Sequence, residues 1–273
     1  TKAVEKFHKL DDSIINYLIS EKEHIIKRDG LLEYYHPEGG LDSVGGLDNL
    51  KKWLSLRANA FSEEALAFGI EIPKGVLLLG LPGCGKSLTA KSVSKAWNFP
   101  LLRFDLGKVF GGIVGQSESN MRRALDVAKT IAPCVLWIDE IEKGLSGLSS
   151  SDRTDGGTTS RVFGTFLTWM QEKTEPVFVV ATANNIENLP PELLRKGRFD
   201  EIFFVDLPTL EERKEIFKIH ITKKNRSISD FDLNDLAQKT SGLTGAEIQS
   251  IIADALFESF SNKEKLNNKM ILT

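Results

Sequence analysis

The sequence predicts an α/β domain, built on a parallel sheet with helices on both faces, followed by a small all-helical domain. Short apolar runs alternate with amphipathic helical segments from residue 75 onward, and after residue 206 only helical patterns follow. Nearly continuous apolar runs that are separated by helices are typical of buried parallel strands. The strands are predicted at 76–79, 101–105, 135–139, 177–182 and 202–205. We therefore expect an N-terminal helix and linker at 1–40, an α/β domain at 41–206 and a helical lid domain at 207–273.

The remaining elements follow from local spacing and from residues that begin or end helices. Apolar side chains recur at helical intervals from Phe7 to Leu18, and Gly30 is a suitable end for this helix. The stretch 34–40 contains Pro and Gly and is predicted to be a loop. Two lid helices begin with capping boxes, TLEE at 209–212 and TGAE at 244–247. Further helices are expected at 48–57, 62–68, 88–97, 156–170 and 232–239, with Ser117 capping one more.

Composition excludes several classes of protein. Lys and Arg number 35 against 38 Asp and Glu, a net charge of −3, so the basic excess of a dedicated nucleic-acid binder is missing and we expect no nucleic-acid partner. The two cysteines, Cys84 and Cys134, form no disulfide framework, which indicates a reducing compartment. No apolar run approaches the ~20 residues of a membrane span and no signal peptide opens the chain, so we expect a cytoplasmic protein with no membrane partner. Because the chain begins with Thr1 rather than Met, we expect further sequence upstream.

A glycine-rich loop between a predicted strand and a predicted helix is the most informative motif. Residues 80–87 are GLPGCGKS, which matches the Walker A pattern G-x-x-x-x-G-K-[ST] of P-loop NTPases. At such a turn, backbone N–H groups and the helix N-terminus face a phosphate. We expect Lys86 to contact the β- and γ-phosphates and the Ser87 hydroxyl to bind Mg²⁺. The nucleotide-contacting residues of this loop are predicted to be Gly83, Cys84, Gly85, Lys86, Ser87 and Leu88.

A second motif, a strand that ends in two carboxylates, indicates which reaction the loop serves. Residues 134–140 are CVLWIDE, in which an apolar run is followed by Asp139 and Glu140. Mg²⁺ on a nucleotide needs an anionic protein partner, and Asp139 is suited to that role. Hydrolysis needs a base that orients and deprotonates water, and we expect Glu140 to be that base. Together with the phosphate loop, this pair predicts hydrolysis of ATP or GTP.

With both motifs present, residues 41–260 resemble the AAA family of AAA+ ATPases. The resemblance extends to three further segments, SVGGL at 43–47, VATAN at 180–184 and LLRKGRFD at 193–200. It implies an ATPase whose large domain has the P-loop NTPase fold, a helical lid, ATP and Mg²⁺ as ligands, and assembly into a homo-oligomeric ring, a hexamer in this family. Within the family, the chain looks most similar to ATPases encoded by a hypothetical reading frame of plastids and cyanobacteria. A location in the plastid stroma would follow for a plastid-encoded chain.

The resemblance also implies roles for individual residues. Asn184 would hold the attacking water, and Arg195 and Arg198 would act as arginine fingers that reach the ATP site of a neighbouring subunit. From sequence alone, a histidine on a lid helix is most often an ordinary surface or core residue, and only the resemblance makes a role beside the base about equally plausible. The residues that the resemblance places around the adenine base are Val44, Gly45, His220, Gly245 and Ala246.

Two positions depart from the family pattern. The loop GGIVG at 111–115 places Ile113 where the central pore loop of AAA remodelling enzymes usually has an aromatic residue, and the nearest aromatic is Phe110. Ile offers only dispersion and apolar burial to a threaded chain, so processive threading is not favoured. Cys84 stands where Thr is common. Its thiol is either an acidic, redox-sensitive group beside Lys86 or a small side chain that points away from the phosphates.

The sequence leaves two functions open. One is a ring-forming ATPase that uses ATP hydrolysis to remodel or regulate a protein partner. The other is a nucleotide-gated scaffold or regulator with slow turnover and no threading. Glu140 favours turnover, whereas Ile113 weakens the threading version. A DNA-translocating motor is disfavoured because the chain has no basic and aromatic stripe. No motif in the chain identifies the protein partner.

Overall fold

The computed structural model describes residues 12–36, 39–110, 116–145 and 158–273. Within them a six-stranded sheet forms, in the order β1-β3-β4-β5-β2-β6. Its strands are β1 (Leu32–Tyr35), β2 (Gly75–Gly80), β3 (Leu101–Phe104), β4 (Cys134–Ile138), β5 (Val177–Ala183) and β6 (Glu201–Val205). Strands β2 to β6 pair in parallel, as the buried apolar runs predict. The five predicted strands and the mixed α/β class are therefore confirmed.

Strand β1 was not predicted, because the sequence analysis assigns 34–40 to a loop. It pairs antiparallel with β3, with Tyr34 opposite Leu102 and Tyr35 opposite Leu101. The loop interpretation is wrong for these two tyrosines, since aromatic residues fit a half-buried strand and the Pro and Gly that indicate a loop come only after them. The Tyr35 ring lies 5.9 Å from the Trp137 ring, centroid to centroid. The sheet therefore begins upstream of residue 41.

Helices account for most of the remaining described residues. The predicted capping role of Ser117 is wrong, because this residue lies inside a helix that already includes Gln116. The helices before the lid are α1 (Asp12–Asp29), α2 (Asp48–Arg57), α3 (Glu63–Phe68), α4 (Lys86–Trp97), α5 (Leu106–Phe110), α6 (Gln116–Ile131), α7 (Ile141–Leu145) and α8 (Thr158–Glu172). Those that follow the sheet are α9 (Leu210–Lys223), α10 (Leu233–Lys239), α11 (Gly245–Asn262) and α12 (Asn268–Ile271).

Side chains alternate across the sheet, so two hydrophobic cores form, one on each face. In β2, Val76 and Leu78 enter one core, whereas Leu77 and Leu79 enter the other. Helices α2 and α4 cover the first core, and α1, α5, α6, α7 and α8 cover the second. Because both faces are covered, the edge formed by the strand ends is where a parallel sheet offers a site.

The four helices after β6 form a helical lid with a hydrophobic core of its own. Both predicted capping boxes are present, at Thr209 with Glu212 and at Thr244 with Glu247. The buried Arg213 donates from Nε to the Ala237 carbonyl at 2.9 Å and from Nη1 to the Pro208 carbonyl at 2.6 Å. These two bonds fix α9 against α10 and against the chain that enters the lid.

Candidate functional site

A cleft of about 310 Å³ lies between the carboxyl edge of the sheet and the lid. Every residue predicted to contact nucleotide lines it, and so do the predicted metal ligands and Asn184. The lining residues that the sequence analysis names are Val44, Gly45, Gly83, Cys84, Gly85, Lys86, Ser87, Leu88, Asp139, Glu140, Asn184, His220, Gly245 and Ala246. The structure thus gathers side chains from distant parts of the chain into one site.

The glycine-rich loop takes the shape that its sequence predicts. Gly85 has φ +91° and directly precedes α4, a conformation that L side chains rarely adopt. Lys86 Nζ donates to the carbonyls of Gly80 and Leu81, both at 2.7 Å. Burial lowers the pKa of Lys86 below the usual lysine value, and Cys84 and Glu142 oppose that shift. A phosphate oxygen could replace the two carbonyls as the partner of this buried ammonium. The exchange is favourable because a hydrogen bond between two charged groups is stronger than one to a neutral carbonyl.

The structure favours one of the two interpretations of Cys84 over the other. Burial raises the pKa of its thiol, and the attraction of Lys86 is the smaller effect. The thiolate is therefore disfavoured, and an acidic, redox-sensitive group is not supported. The side chain packs against the first core, which includes α2 and α4. This packing favours the other interpretation, a small side chain that points away from the phosphates.

The acidic end of β4 forms a hydrogen-bonded group with α4 and β5. Asp139 Oδ1 accepts hydrogen bonds from the Ser87 and Thr182 hydroxyls, each at 2.7 Å. The Ser87 hydroxyl and the Asp139 carboxylate are hydrogen-bonded to each other, and both are oxygen ligands of the type that Mg²⁺ prefers. Within the described residues no cluster of three or more His, Cys, Asp and Glu could hold a metal ion by itself. The donor set therefore fits Mg²⁺ that also takes ligands from phosphate and water.

Glu140 is held in an unusual backbone conformation next to this group. Its φ is +50°, in the left-handed region that residues other than glycine rarely adopt. The Glu140 N–H donates to the Thr182 hydroxyl at 2.9 Å, and Asn184 Nδ2 donates to Glu140 Oε1 at 2.9 Å. Backbone strain of this kind is concentrated at functional sites. The structure therefore brings together the predicted base and the residue predicted to hold water.

Two residues of this group have no role in the sequence analysis. Thr182 is almost fully buried and bridges Asp139 and Glu140. Glu142 is also buried, and its Oε1 accepts the Asn184 backbone N–H at 2.9 Å. The signal for Glu142 was its position two residues after Glu140, a third carboxylate at the same strand end. Both residues fix the orientation of groups that face the cleft.

The opposite end of the cleft is formed by the two domains together. An added Cβ at Gly45 would lie 2.6 Å from Ile216 Cγ1, so this glycine allows close approach to α9. The Ala246 N–H donates to the Gly83 carbonyl at 3.0 Å, which ties α11 to the phosphate loop. His220 is half-buried, and burial lowers the pKa of its imidazole, so it is neutral at pH ~7. A neutral, half-buried ring that lines the cleft fits a flat aromatic base.

Arg195 and Arg198 do not line the cleft of their own chain. Asp200 Oδ2 accepts the backbone N–H groups of Lys74 and Gly75, at 2.7 and 2.9 Å. These bonds place the neighbouring Arg198 at the amino end of β2, whereas the phosphate loop follows its carboxyl end. A strand of that length separates the two ends by roughly 20 Å. Arg198 of one chain thus lies away from that chain's own phosphate loop.

Two further expectations concern the pore loop and the membrane. The predicted pore-loop residue Ile113 lies outside the described residues. Among the helices that the structure describes, none has the length and apolar character that a membrane span requires.

Comparison with known proteins places these observations in context. The sequence profile described as "ATPase family associated with various cellular activities (AAA)" matches residues 76–207, and the one described as "AAA+ lid domain" matches residues 230–270. The chain is 47% identical to the uncharacterized AAA domain-containing protein ycf46 of Guillardia theta, over 99% of this chain and 53% of the relative. The protein of the same name from Pyropia yezoensis is 48% identical, over 99% of this chain and 55% of the relative.

A more distant relative has a name that describes an activity. The proteasome-activating nucleotidase of Archaeoglobus fulgidus is 33% identical, over 89% of this chain and 62% of the relative. The chain spans about half the length of the two ycf46 relatives.

Proposed function

The chain belongs to the AAA family of ATPases, and on that premise we propose that it binds ATP with Mg²⁺ and hydrolyses it to ADP and phosphate. The observation that carries this proposal is the hydrogen bond from Asn184 Nδ2 to Glu140 Oε1, beside the contact between Ser87 and Asp139. A carboxylate and an amide that share one hydrogen bond can both contact a water molecule near the phosphate end of the cleft.

Each residue of the group has a distinct role in this proposal. Lys86 exchanges its carbonyl partners for phosphate oxygens, and Glu140 accepts a proton from the attacking water. Asn184 orients that water, while Thr182 keeps the Glu140 backbone in place. When bound, Mg²⁺ offsets the phosphate charge, and Ser87 with Asp139 would hold it.

The proposal extends to a ring in which sites are shared between subunits. Arg195 is exposed, and Arg198 is half-buried, donates to the Glu192 carbonyl and lies far from its own phosphate loop. Both arginines therefore lie on a face that a second copy could contact. A head-to-tail contact repeats until it closes, which gives a ring, and we propose a hexamer. An arginine supplied in this way stabilises charge on the transferred phosphoryl group.

The protein partner and the compartment rest on resemblance rather than on geometry. We propose a protein partner that the ring remodels or regulates, since one relative bears the name proteasome-activating nucleotidase. We propose a cytoplasmic location, or the plastid stroma if the chain is plastid-encoded, because the chain is similar to ycf46 proteins.

One observation favours the second function, a nucleotide-gated regulator with slow turnover. Both carboxylate oxygens of Glu140 have donors, since Oε1 accepts from Asn184 and Oε2 lies 2.5 Å from Lys143 Nζ. If both oxygens of the catalytic base are occupied by donors, the enzyme would hydrolyse ATP slowly, and ATP would then act mainly through binding.

The test is a comparison of binding and turnover in the Glu140→Gln variant. The amide keeps the shape and the acceptor for Asn184 but cannot act as the base, so the ATP dissociation constant should stay within about twofold while hydrolysis falls at least about a hundredfold. Glu172→Gln, an exposed glutamate on α8, is the control and should leave both unchanged. Hydrolysis at the parent rate in Glu140→Gln would remove Glu140 from catalysis.

A further inference from the structure

An ion pair joins the proposed catalytic base to a lysine outside the cleft. Lys143 Nζ lies 2.5 Å from Glu140 Oε2, and the two residues are separated by one turn of chain. The Lys143 side chain is 71% exposed, against 37% for that of Glu140. Pairing with this carboxylate raises the pKa of Lys143, so the ammonium is charged at neutral pH. Lys143 thus adds a cation to the base without belonging to the nucleotide site.

The backbone around Lys143 is packed against the core of the α/β domain. Helix α7 is anchored by Ile141, which is fully buried, and by Glu142. An added Cβ at Gly144 would lie 2.5 Å from Leu106 Cβ, so α7 and α5 are in tight contact. The Lys143 N–H also donates to the Glu140 carbonyl at 2.8 Å. These contacts hold helix α7 against α5 and the core, so opening of the ion pair is expected to involve the Glu140 and Lys143 side chains.

Both ends of the Glu140 carboxylate are consequently engaged. Oε1 accepts from Asn184, which lines the cleft, while Oε2 is drawn to Lys143, which does not. A general base must direct a free lone pair at the water that it deprotonates. The ion pair with Lys143 takes up part of the acceptor capacity of Oε2 and draws this oxygen away from such a water.

On the basis of the proposed ATPase function, we propose that Lys143 is a positioning residue that restrains Glu140 and so limits the rate of hydrolysis in the resting enzyme. Opening of the ion pair releases the carboxylate to face water in the cleft. Any contact that draws the exposed Lys143 ammonium away, such as an acidic group of a neighbouring subunit or partner, would then raise turnover.

The size of the effect follows from the exposure of the pair. Exposed ion pairs are worth little in water, so the restraint should slow hydrolysis by about two- to fivefold. It should also weaken as added salt screens the charges.

The experiment compares kcat at saturating ATP and Mg²⁺ in three variants of the full chain. Lys143→Met keeps the length of the side chain and removes the charge, and it should raise kcat about two- to fivefold with no change in the ATP dissociation constant. Lys143→Arg keeps the cation and should restore the parent kcat. Lys129→Met is the matched control, since Lys129 makes an exposed ion pair of the same spacing with Asp126 on α6. It should leave kcat unchanged.

The salt dependence of kcat is a second measurement, and it would not change if Lys143 had only a structural role. As KCl rises from about 0.05 to about 0.5 M, the ratio of the Lys143→Met kcat to the parent kcat should fall toward one. A ratio at or below one at low salt, or failure of Lys143→Arg to restore the parent value, overturns the restraint while leaving the ATPase proposal intact. A parent protein with no turnover, in which Lys143→Met is also inactive, overturns both.

Discussion

The two ends of the cleft are built in different ways. At the phosphate end, the bonds from Ser87 and Thr182 to Asp139 and from Asn184 to Glu140 all lie within the α/β domain. The opposite end, where Val44, Gly45 and His220 are predicted to contact adenine, is called the base end. There the contacts cross between domains. The Gly46 N–H donates to Glu215 Oε2 at 2.7 Å, and the Leu47 N–H donates to Glu212 Oε1 at 3.2 Å.

This difference teaches how one nucleotide site can serve both chemistry and movement. The reacting groups are all positioned by the sheet and α4, so their geometry does not depend on contacts with the lid. The base end exists only where the lid meets the α/β domain, so a ligand there must favour one arrangement of the two. Damage at the phosphate end should therefore affect turnover or phosphate binding, and damage at the base end should affect affinity.

The largest effect is expected from breaking the phosphate end at Lys86. Lys86→Ala removes the cation that faces the phosphates, so ATP binding should weaken at least about a hundredfold. Isothermal titration with ATP and Mg²⁺ measures it. Lys95→Ala, an exposed lysine on the same helix, should bind ATP like the parent. Parent-like affinity in Lys86→Ala would mean that the loop does not hold phosphate.

A smaller effect, on turnover alone, is expected at Thr182. Thr182→Val keeps the volume but removes the hydroxyl that bridges Asp139 and the Glu140 backbone. Loss of a buried hydrogen bond to a charged group should lower kcat by about ten- to a hundredfold, with ATP affinity nearly unchanged. Thr240→Val removes a buried hydroxyl that bonds only within the lid and is the control. Equal kcat in both valine variants would remove Thr182 from the site.

The smallest effect is expected from crowding the base end. Gly45→Ala places a Cβ 2.6 Å from Ile216 Cγ1, which should push α9 away and weaken ATP binding about tenfold while kcat at saturation stays near the parent value. Gly40→Ala meets no atom within 4 Å and is the matched control. If Gly45→Ala lowered kcat but not affinity, the division between the two ends would be wrong.

Much of the fold could be predicted because local pattern and global structure agree. The buried parallel strands have the apolar runs that their burial requires, and the capping boxes at Thr209 and Thr244 are local signals that tertiary contacts preserve. Strand β1 was missed because it is short and lies at a sheet edge, where its pairing with β3 is a distant contact that no local pattern reveals.

The site residues that belong to a sequence motif could be predicted. Those that are defined only by their contacts in the folded protein could not. Lys86 and Asp139 lie in motifs whose residue types follow from phosphate and metal chemistry. Thr182, Glu142 and Lys143 act through hydrogen bonds to other side chains and backbone groups, and a sequence does not state which groups will meet. The interpretation of Cys84 likewise needed its burial, which the structure supplies.

The central claim is that ATP sites are completed by a neighbouring subunit, and mixing two inactive variants tests it most directly. Lys86→Ala loses its own phosphate loop but keeps its arginines, whereas the double variant Arg195→Ala/Arg198→Ala keeps the loop and loses the arginines. Each alone should show little ATPase activity. In an equal mixture at concentrations that allow assembly, roughly a quarter of head-to-tail interfaces pair an intact loop with intact arginines, and activity should return. Hydrolysis at the parent rate by the double arginine variant alone, when dilute and monomeric, would contradict the claim.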